Sequence, residues 1–153
     1  MTVTEKGRKT MREVIFRGKQ KDNGEWVYGD LIHYACNNGD VGIDNGFLVE
    51  DENDIETFDV IPETVGQYTG LTDKNGTKIF EGDIVRRDYT LRRGETKRTR
   101  ETQIGVVSYS NKECGFCLDK VCNLRKPWDG DTIEVIGNIH DNPDLMKNEE
   151  AQK

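Results

Sequence analysis

Two short strings in this sequence have the spacing of metal ligands. His33-Tyr34-Ala35-Cys36 offers His-x-x-Cys and Cys114-Gly115-Phe116-Cys117 offers Cys-x-x-Cys, together the four nitrogen and sulfur donors of a tetrahedral structural zinc site. Strand geometry opposes the assignment. Residues three apart on a regular strand point to opposite faces, so each pair needs a turn between its ligands. Gly115 permits one, and Tyr34-Ala35 does not obviously do so. Buried or idle thiols are therefore the first reading, with zinc at His33, Cys36, Cys114 and Cys117 as the alternative. The acidic run from Glu50 to Asp54 reads as a solvated loop in preference to a metal site. Asp73-Lys74-Asn75-Gly76 resembles the start of a calcium loop but lacks the further carboxylates and the closing bidentate Glu.

Catalytic machinery is not apparent. The sequence has no Gly-x-Ser-x-Gly elbow, no Gly-Lys-Ser/Thr phosphate loop and no His-Glu-x-x-His. His33 and His140 are its only histidines, and each ends a strand-like stretch, where an ordinary structural or exposed role is expected. The expectation is a protein that is not an enzyme and holds no cofactor.

The strongest local charge lies elsewhere. From Arg86 to Glu101, seven basic residues (Arg86, Arg87, Arg92, Arg93, Lys97, Arg98, Arg100) stand against three acidic ones (Asp88, Glu95, Glu101), in a chain whose net charge is −7. Arginines pair with phosphates, a β-ribbon can enter a nucleic-acid groove, and Tyr89 could add stacking. The bland alternative is a solvated arm, or an arm that meets the acidic surface of a neighbouring copy. A long hairpin and an irregular loop both fit the segment, with Gly94 near its tip.

The frame that must position these residues is written twice. Asn23-Gly24-Glu25-Trp26-Val27-Tyr28-Gly29-Asp30-Leu31-Ile32 reappears, with one residue inserted, as Asn75-Gly76-Thr77-Lys78-Ile79-Phe80-Glu81-Gly82-Asp83-Ile84-Val85. A second echo links Thr64-Val65-Gly66-Gln67-Tyr68 to Val135-Ile136-Gly137-Asn138-Ile139. Matched strings in fixed order predict tandem copies of one β unit. Asn-Gly predicts tight primed hairpin turns with positive φ at both residues, and the β-branched and aromatic residues beside it predict strands. Gly29-Asp30 and Gly82-Asp83 predict bends, and Gly70, Asn75, Gly76 and Gly137 complete the set of residues read as shaping the backbone. No long 3.6-residue period appears. One helical turn is predicted at Pro143-Asp144-Leu145-Met146, where Pro and Asp suit a helix start.

Totals narrow the classes. The chain has 153 residues, 33% hydrophobic content, a mean hydropathy of −0.80 and no apolar run of membrane-spanning length. Residues 1–10 are polar, without the apolar centre of a secretory signal, which favours an intracellular place; Met11 is a candidate start for the folded part. An acidic balance opposes body-wide affinity for nucleic acid. Of four cysteines, three crowd between Cys114 and Cys122, unlike a secreted disulfide framework, so reduced thiols are expected.

Several strings resemble the YopX family of phage and prophage proteins. They are Ile15-Phe16-Arg17, Val65-Gly66-Gln67-Tyr68-Thr69-Gly70-Leu71 with Asp73-Lys74-Asn75-Gly76, Ile79-Phe80-Glu81-Gly82-Asp83-Ile84-Val85, and Val135-Ile136-Gly137-Asn138-Ile139-His140-Asp141-Asn142-Pro143. The resemblance implies a phage or prophage origin and the cytoplasm of a bacterial host. It brings no catalytic set, because its signature residues serve backbone geometry, and it covers neither the cysteines nor the basic segment.

The expected architecture is all-β with minor α: two small related β units, each an SH3-like barrel or sandwich, packed as one compact chain with a short C-terminal helical turn. Residues 1–10 form a flexible tail, 11–66 an N-terminal unit, 67–145 a C-terminal unit with a basic insertion at 86–103, and 146–153 a second tail. The expected role is a non-enzymatic interaction module that contacts an unknown host or phage macromolecule and self-associates, since edge strands invite pairing. Trp26, Tyr28, Trp128 and the arginine arm are its candidate contacts. Nucleic-acid binding through 86–100 and zinc stabilisation are the alternatives, and no membrane is involved.

Overall fold

Short runs of β-branched and aromatic residues, separated by glycine and asparagine turns, give ten strands in the computed structural model, which describes residues 12–34, 39–46, 52–93, 97–119, 124 and 132–150. They are β1 (Phe16–Lys19), β2 (Trp26–His33), β3 (Val41–Asp44), β4 (Thr57–Val60), β5 (Gly66–Thr72), β6 (Lys78–Phe80), β7 (Asp83–Arg93), β8 (Lys97–Ser110), β9 (Gly115–Leu118) and β10 (Thr132–Asn138). Every pairing is antiparallel. The strands form a six-stranded sheet in the order β4-β3-β2-β1-β5-β6 and a four-stranded sheet in the order β10-β7-β8-β9. Of the expected tails, residues 1–10 and the last three of 146–153 lie outside the described residues, as does Trp128.

The all-β expectation holds, in the form of packed sheets rather than closed barrels. The nearest approach to closure is a single bridge from Val60, at the end of β4, to Gln20, supported by Ile61 N–H donating to the Lys19 carbonyl at 2.8 Å. Antiparallel pairing of β1 with β5, at Phe16↔Gln67 and Arg17↔Gly66, places the first strands of the second half in the same sheet as the first half. The sheet boundary consequently falls between Phe80 and Asp83. Ile79 of β6 packs with Val85, Val107, Leu118 and Ile133 of the four-stranded sheet, so the two sheets share a core. Val41, Ile43 and Val60 form a second cluster, and Ile15, Tyr68 and Phe80 a third.

The Asn-Gly turns differ from the expected primed type. Gly24 and Gly76 take positive φ (72° and 83°), while among the described non-glycine residues only Cys114 and Asp119 do so. Both turns are longer than two residues, closed by Gly24 N–H to the Gln20 carbonyl (3.0 Å) and by Gly76 N–H to the Asp73 carbonyl (3.0 Å). Side chains supply what the backbone does not: Asn23 Oδ1 accepts from Glu25 N–H at 2.8 Å, and Asp73 Oδ1 accepts from Asn75 and Thr77 N–H at 2.8 and 2.9 Å.

The two Gly-Asp copies do different work. In the first, β2 runs unbroken through Gly29 and changes partner there, pairing with β1 up to Gly29 and with β3 from Asp30. In the second, the inserted Glu81 leaves room for a turn, and the chain leaves the six-stranded sheet at Phe80 to enter the other at Asp83. Gly70 and Gly137 lie at register shifts in β5 and β10. Helix α1 (Asp144–Glu150) is longer than the single turn read from the sequence and takes in residues 146–150 of the segment expected as a tail.

Gly29 has a measurable consequence. A Cβ added there would lie 1.8 Å from the Asp44 carbonyl oxygen, and no rotamer relieves a backbone clash. Gly29→Ala is expected to cost about 3 kcal/mol, as an overpacked site does. Urea unfolding measures it, and a loss below about 1 kcal/mol would contradict the close approach of β2 and β3.

Candidate functional site

The zinc candidates fall in different places. His33 is exposed at the end of β2 in the six-stranded sheet, while Cys114 ends the β8–β9 turn of the other sheet and Cys117 lies within β9. Cys114 is exposed in a left-handed turn conformation (φ 52°), Cys117 is buried, and Cys36 lies outside the described residues. Among the described residues no three His, Cys, Asp or Glu side chains gather as metal ligands would.

The basic segment is a β-ribbon. β7 and β8 pair continuously from Ile84↔Val106 to Arg93↔Lys97. β10 flanks β7 only as far as Asp88, and β9 meets β8 only from Val107 onward. Among the described residues, no other strand pairs with the five rungs from Tyr89↔Glu101 to Arg93↔Lys97. At about 3.4 Å per residue, those rungs extend about 17 Å beyond the sheet. The last two rungs are Arg92↔Arg98 and Arg93↔Lys97, basic opposite basic. Arg98 and Arg100 are exposed, and only the backbones of Arg92, Arg93 and Lys97 are described. At the root of the ribbon, Arg86 is ion-paired with Glu134, which also meets Lys74 at 3.0 Å, and the Arg87 guanidinium lies 5.5 Å from the Tyr89 ring centroid. The seven basic residues thus divide into two at the root and five along the ribbon beyond it.

A second centre, built around Arg17, lies between the sheets. Arg17 is 7% exposed, and its Nη2 meets Asp83 Oδ1 at 2.6 Å and donates to the Glu81 carbonyl at 3.1 Å. Its guanidinium stacks between the rings of Trp26 (4.7 Å) and Phe80 (5.0 Å). Asp83, 2% exposed, also accepts from Phe80 N–H at 2.8 Å. Burial raises the Asp83 carboxyl above its ordinary value, against the opposing pull of Arg17 and the Phe80 N–H. The pair nails the Phe80–Asp83 turn, where the chain passes between sheets, onto the central strand β1.

Beside the pair lies a cavity of about 450 Å³, lined by Ile15, Tyr28, Phe80 and Val135 and by the buried Arg17 and Asp83. Asp141 fastens one flank: it accepts from Trp26 Nε1 (2.8 Å) and Asn138 Nδ2 (2.9 Å) and is ion-paired with Lys19. Lys19, then Asn138 and Trp26, hold its carboxyl well below the usual carboxylate range. His140 packs on Trp26 with ring centroids 5.9 Å apart. Burial, then the charges of Arg17 and Lys19, lowers its pKa, against the pull of Asp141. The unfolded chain therefore takes up the His140 proton first. Stability is expected to fall as pH drops below about 6.5, and His140→Gln to flatten that part of a melting-temperature profile. A wild-type profile level between neutral and mildly acid pH would contradict the packing of this imidazole.

The sequence reading passed over Arg17, Lys19 and Asp141 as functional positions. Strand alternation carried the signal for the first, since Arg17 shares a face with the apolar Ile15 and was due to be buried beside it. Its partner Asp83 is the one acidic residue inside an otherwise apolar Gly82-to-Val85 string, which calls for a compensating cation.

The strings that converge here are Ile15 to Arg17, Phe80 to Asp83 and Gly137 to Asp141, drawn from the start, middle and end of the chain. No curated protein matches the chain. Among solved structures the chain is similar to protein EF1440 from Enterococcus faecalis, with a TM-score of 0.50 and 22% identity over 89% of this chain and 99% of that one, a likeness of fold. The model of the YopX protein family matches residues 15–147, taking in the Arg17–Asp83 pair, the β7–β8 ribbon and the Asp141 clamp, and the chain belongs to the YopX family.

Proposed function

We propose that this chain is a non-enzymatic accessory protein of phage or prophage origin that acts in the bacterial cytoplasm by contact, and that the contact is between its β7–β8 ribbon and nucleic acid. One observation carries the reading: two successive rungs at the ribbon's end set basic residues opposite each other. Like charges directly opposed weaken a two-stranded ribbon, which makes the arrangement poor as structure and favourable against a line of phosphates. A two-stranded ribbon also fits the major groove of duplex DNA, about 12 Å wide. The acidic remainder of the chain repels the same polyanion and would confine contact to the arm.

Self-association was the companion expectation, argued from open sheet edges. Three of the four outer strands are partly occupied by the chain itself: Lys21 N–H bonds the Asp59 carbonyl of β4, Lys74 N–H the Ile133 carbonyl of β10, and Leu124 N–H the Phe116 carbonyl of β9. The ribbon is therefore the contact element carried forward. Titration of a labelled DNA duplex at several salt concentrations tests it. Binding that weakens steeply with salt supports the reading, and absent or salt-insensitive binding refutes it.

A further inference from the structure

The cavity between the sheets has the character of a ligand site rather than of a packing fault. A volume of about 450 Å³ lies within the range of small-molecule pockets, and apolar walls around a few polar groups are their usual lining. It sits at the seam, with Tyr28 and Phe80 from the six-stranded sheet, Ile15 just before β1, and Asp83 and Val135 from the four-stranded one. Tyr28 is 41% exposed and packs edge-on to Phe80 with centroids 5.6 Å apart, so two aromatic surfaces meet at the wall. A ring entering the cavity would find an edge and a face to pack against, and would remove the Tyr28 surface from water.

Charge selects among such ligands. Arg17 and Asp83 neutralise each other, and the remaining charged side chain of the lining is Lys78, whose partner Glu13 lies outside it. The Lys78 ammonium is 2.7 Å from Glu13, but the two side chains are 41% and 45% exposed, and such surface pairs are weak enough to exchange. Lys78 also lies 4.9 Å from the Tyr68 ring, which keeps the cation on the aromatic side. The Arg17 guanidinium is not saturated either, since its Nε is buried without an acceptor.

We propose that this cavity binds a small aromatic monoanion, with its ring against Tyr28 and Phe80 and its negative group at Lys78. Binding would tie the sheets together at the turn that Arg17 and Asp83 hold, without using the ribbon, so the proposal stands or falls apart from nucleic-acid binding.

The test uses the full chain and three probes: 1-naphthoate, its neutral analogue 1-naphthalenemethanol, and the aliphatic anion hexanoate. Calorimetry and thermal shift are expected to show naphthoate binding at least about tenfold more tightly than either other probe, with a raised melting temperature. Lys78→Met, at a half-exposed side chain, should weaken naphthoate about tenfold and leave the alcohol unchanged. Val135→Phe, which narrows the cavity, should weaken both aromatic probes. Equal binding of naphthoate and the alcohol would overturn the anion assignment, equal binding of hexanoate the aromatic one, and failure of all three to bind the site itself.

Discussion

Replacing Arg92, Arg93, Lys97 and Arg98 together by threonine will remove most of the salt-dependent affinity for duplex DNA while leaving the protein as stable as before, or slightly more so. Each phosphate neutralised contributes about −0.9 to the slope of log affinity against log salt, so four such contacts steepen it by almost four units. Between about 50 and 200 mM salt that slope amounts to roughly a hundredfold change in affinity, and the variant forfeits it. Stability moves the other way because the two rungs Arg92↔Arg98 and Arg93↔Lys97 no longer oppose like charges, a relief of about 0.2–1 kcal/mol for each rung. Threonine also suits a strand, which keeps the ribbon's backbone preference intact. The combination matters, since a residue kept for structure loses stability when removed, and one kept for contact loses only binding. A variant that binds as tightly as its parent, with an unchanged slope, would dismiss the ribbon as the contact element.

The second large effect concerns the buried pair. Arg17→Met is expected to cost about 3–5 kcal/mol, because it leaves the Asp83 carboxylate buried without its cation. Asp83→Leu should cost a similar amount, and the double variant Arg17→Met/Asp83→Leu should recover more than half of the summed loss, since no charge then remains to desolvate. Acidity provides an independent check. Burial already raises the Asp83 carboxyl in the intact protein, and without Arg17 the charge that opposes this rise is lost. A carboxyl raised on folding contributes stability below its unfolded value and loses that contribution as pH rises through the folded one. The Arg17→Met deficit should accordingly shrink in acid and grow towards neutrality. Urea unfolding at acid and neutral pH reads both effects. Single losses under about 1 kcal/mol, or a double variant that merely sums them, would refute the interpretation of the pair as a mutually dependent lock.

Much of the local plan was legible. Asn23-Gly24 and Asn75-Gly76 located two turns, the β-branched and aromatic residues beside them marked strands, and the charge run at 86–101 located the segment that forms the ribbon. Turn type was not legible, because the Asn23 and Asp73 side chains took over hydrogen bonds that the primed geometry would have left to the backbone. The paired Gly-Asp strings looked interchangeable, yet Glu81, a single inserted residue, turned one of them into a crossing between sheets. Arg17 was singled out only within the family-like string Ile15-Phe16-Arg17, although its neighbours in sequence already fixed its inward face.

The sequence by itself determined the β class, the turn positions, the family and the place of the basic ribbon, because these follow from φ preferences, side-chain alternation and charge over a few neighbouring residues. Only the tertiary structure decided that β1 would pair with β5, that Arg17 would meet Asp83, and that the cavity would open beside them. Those outcomes join segments far apart in the chain. They are set by which faces can be buried together and which buried charges can be compensated, and no local stretch encodes that by itself.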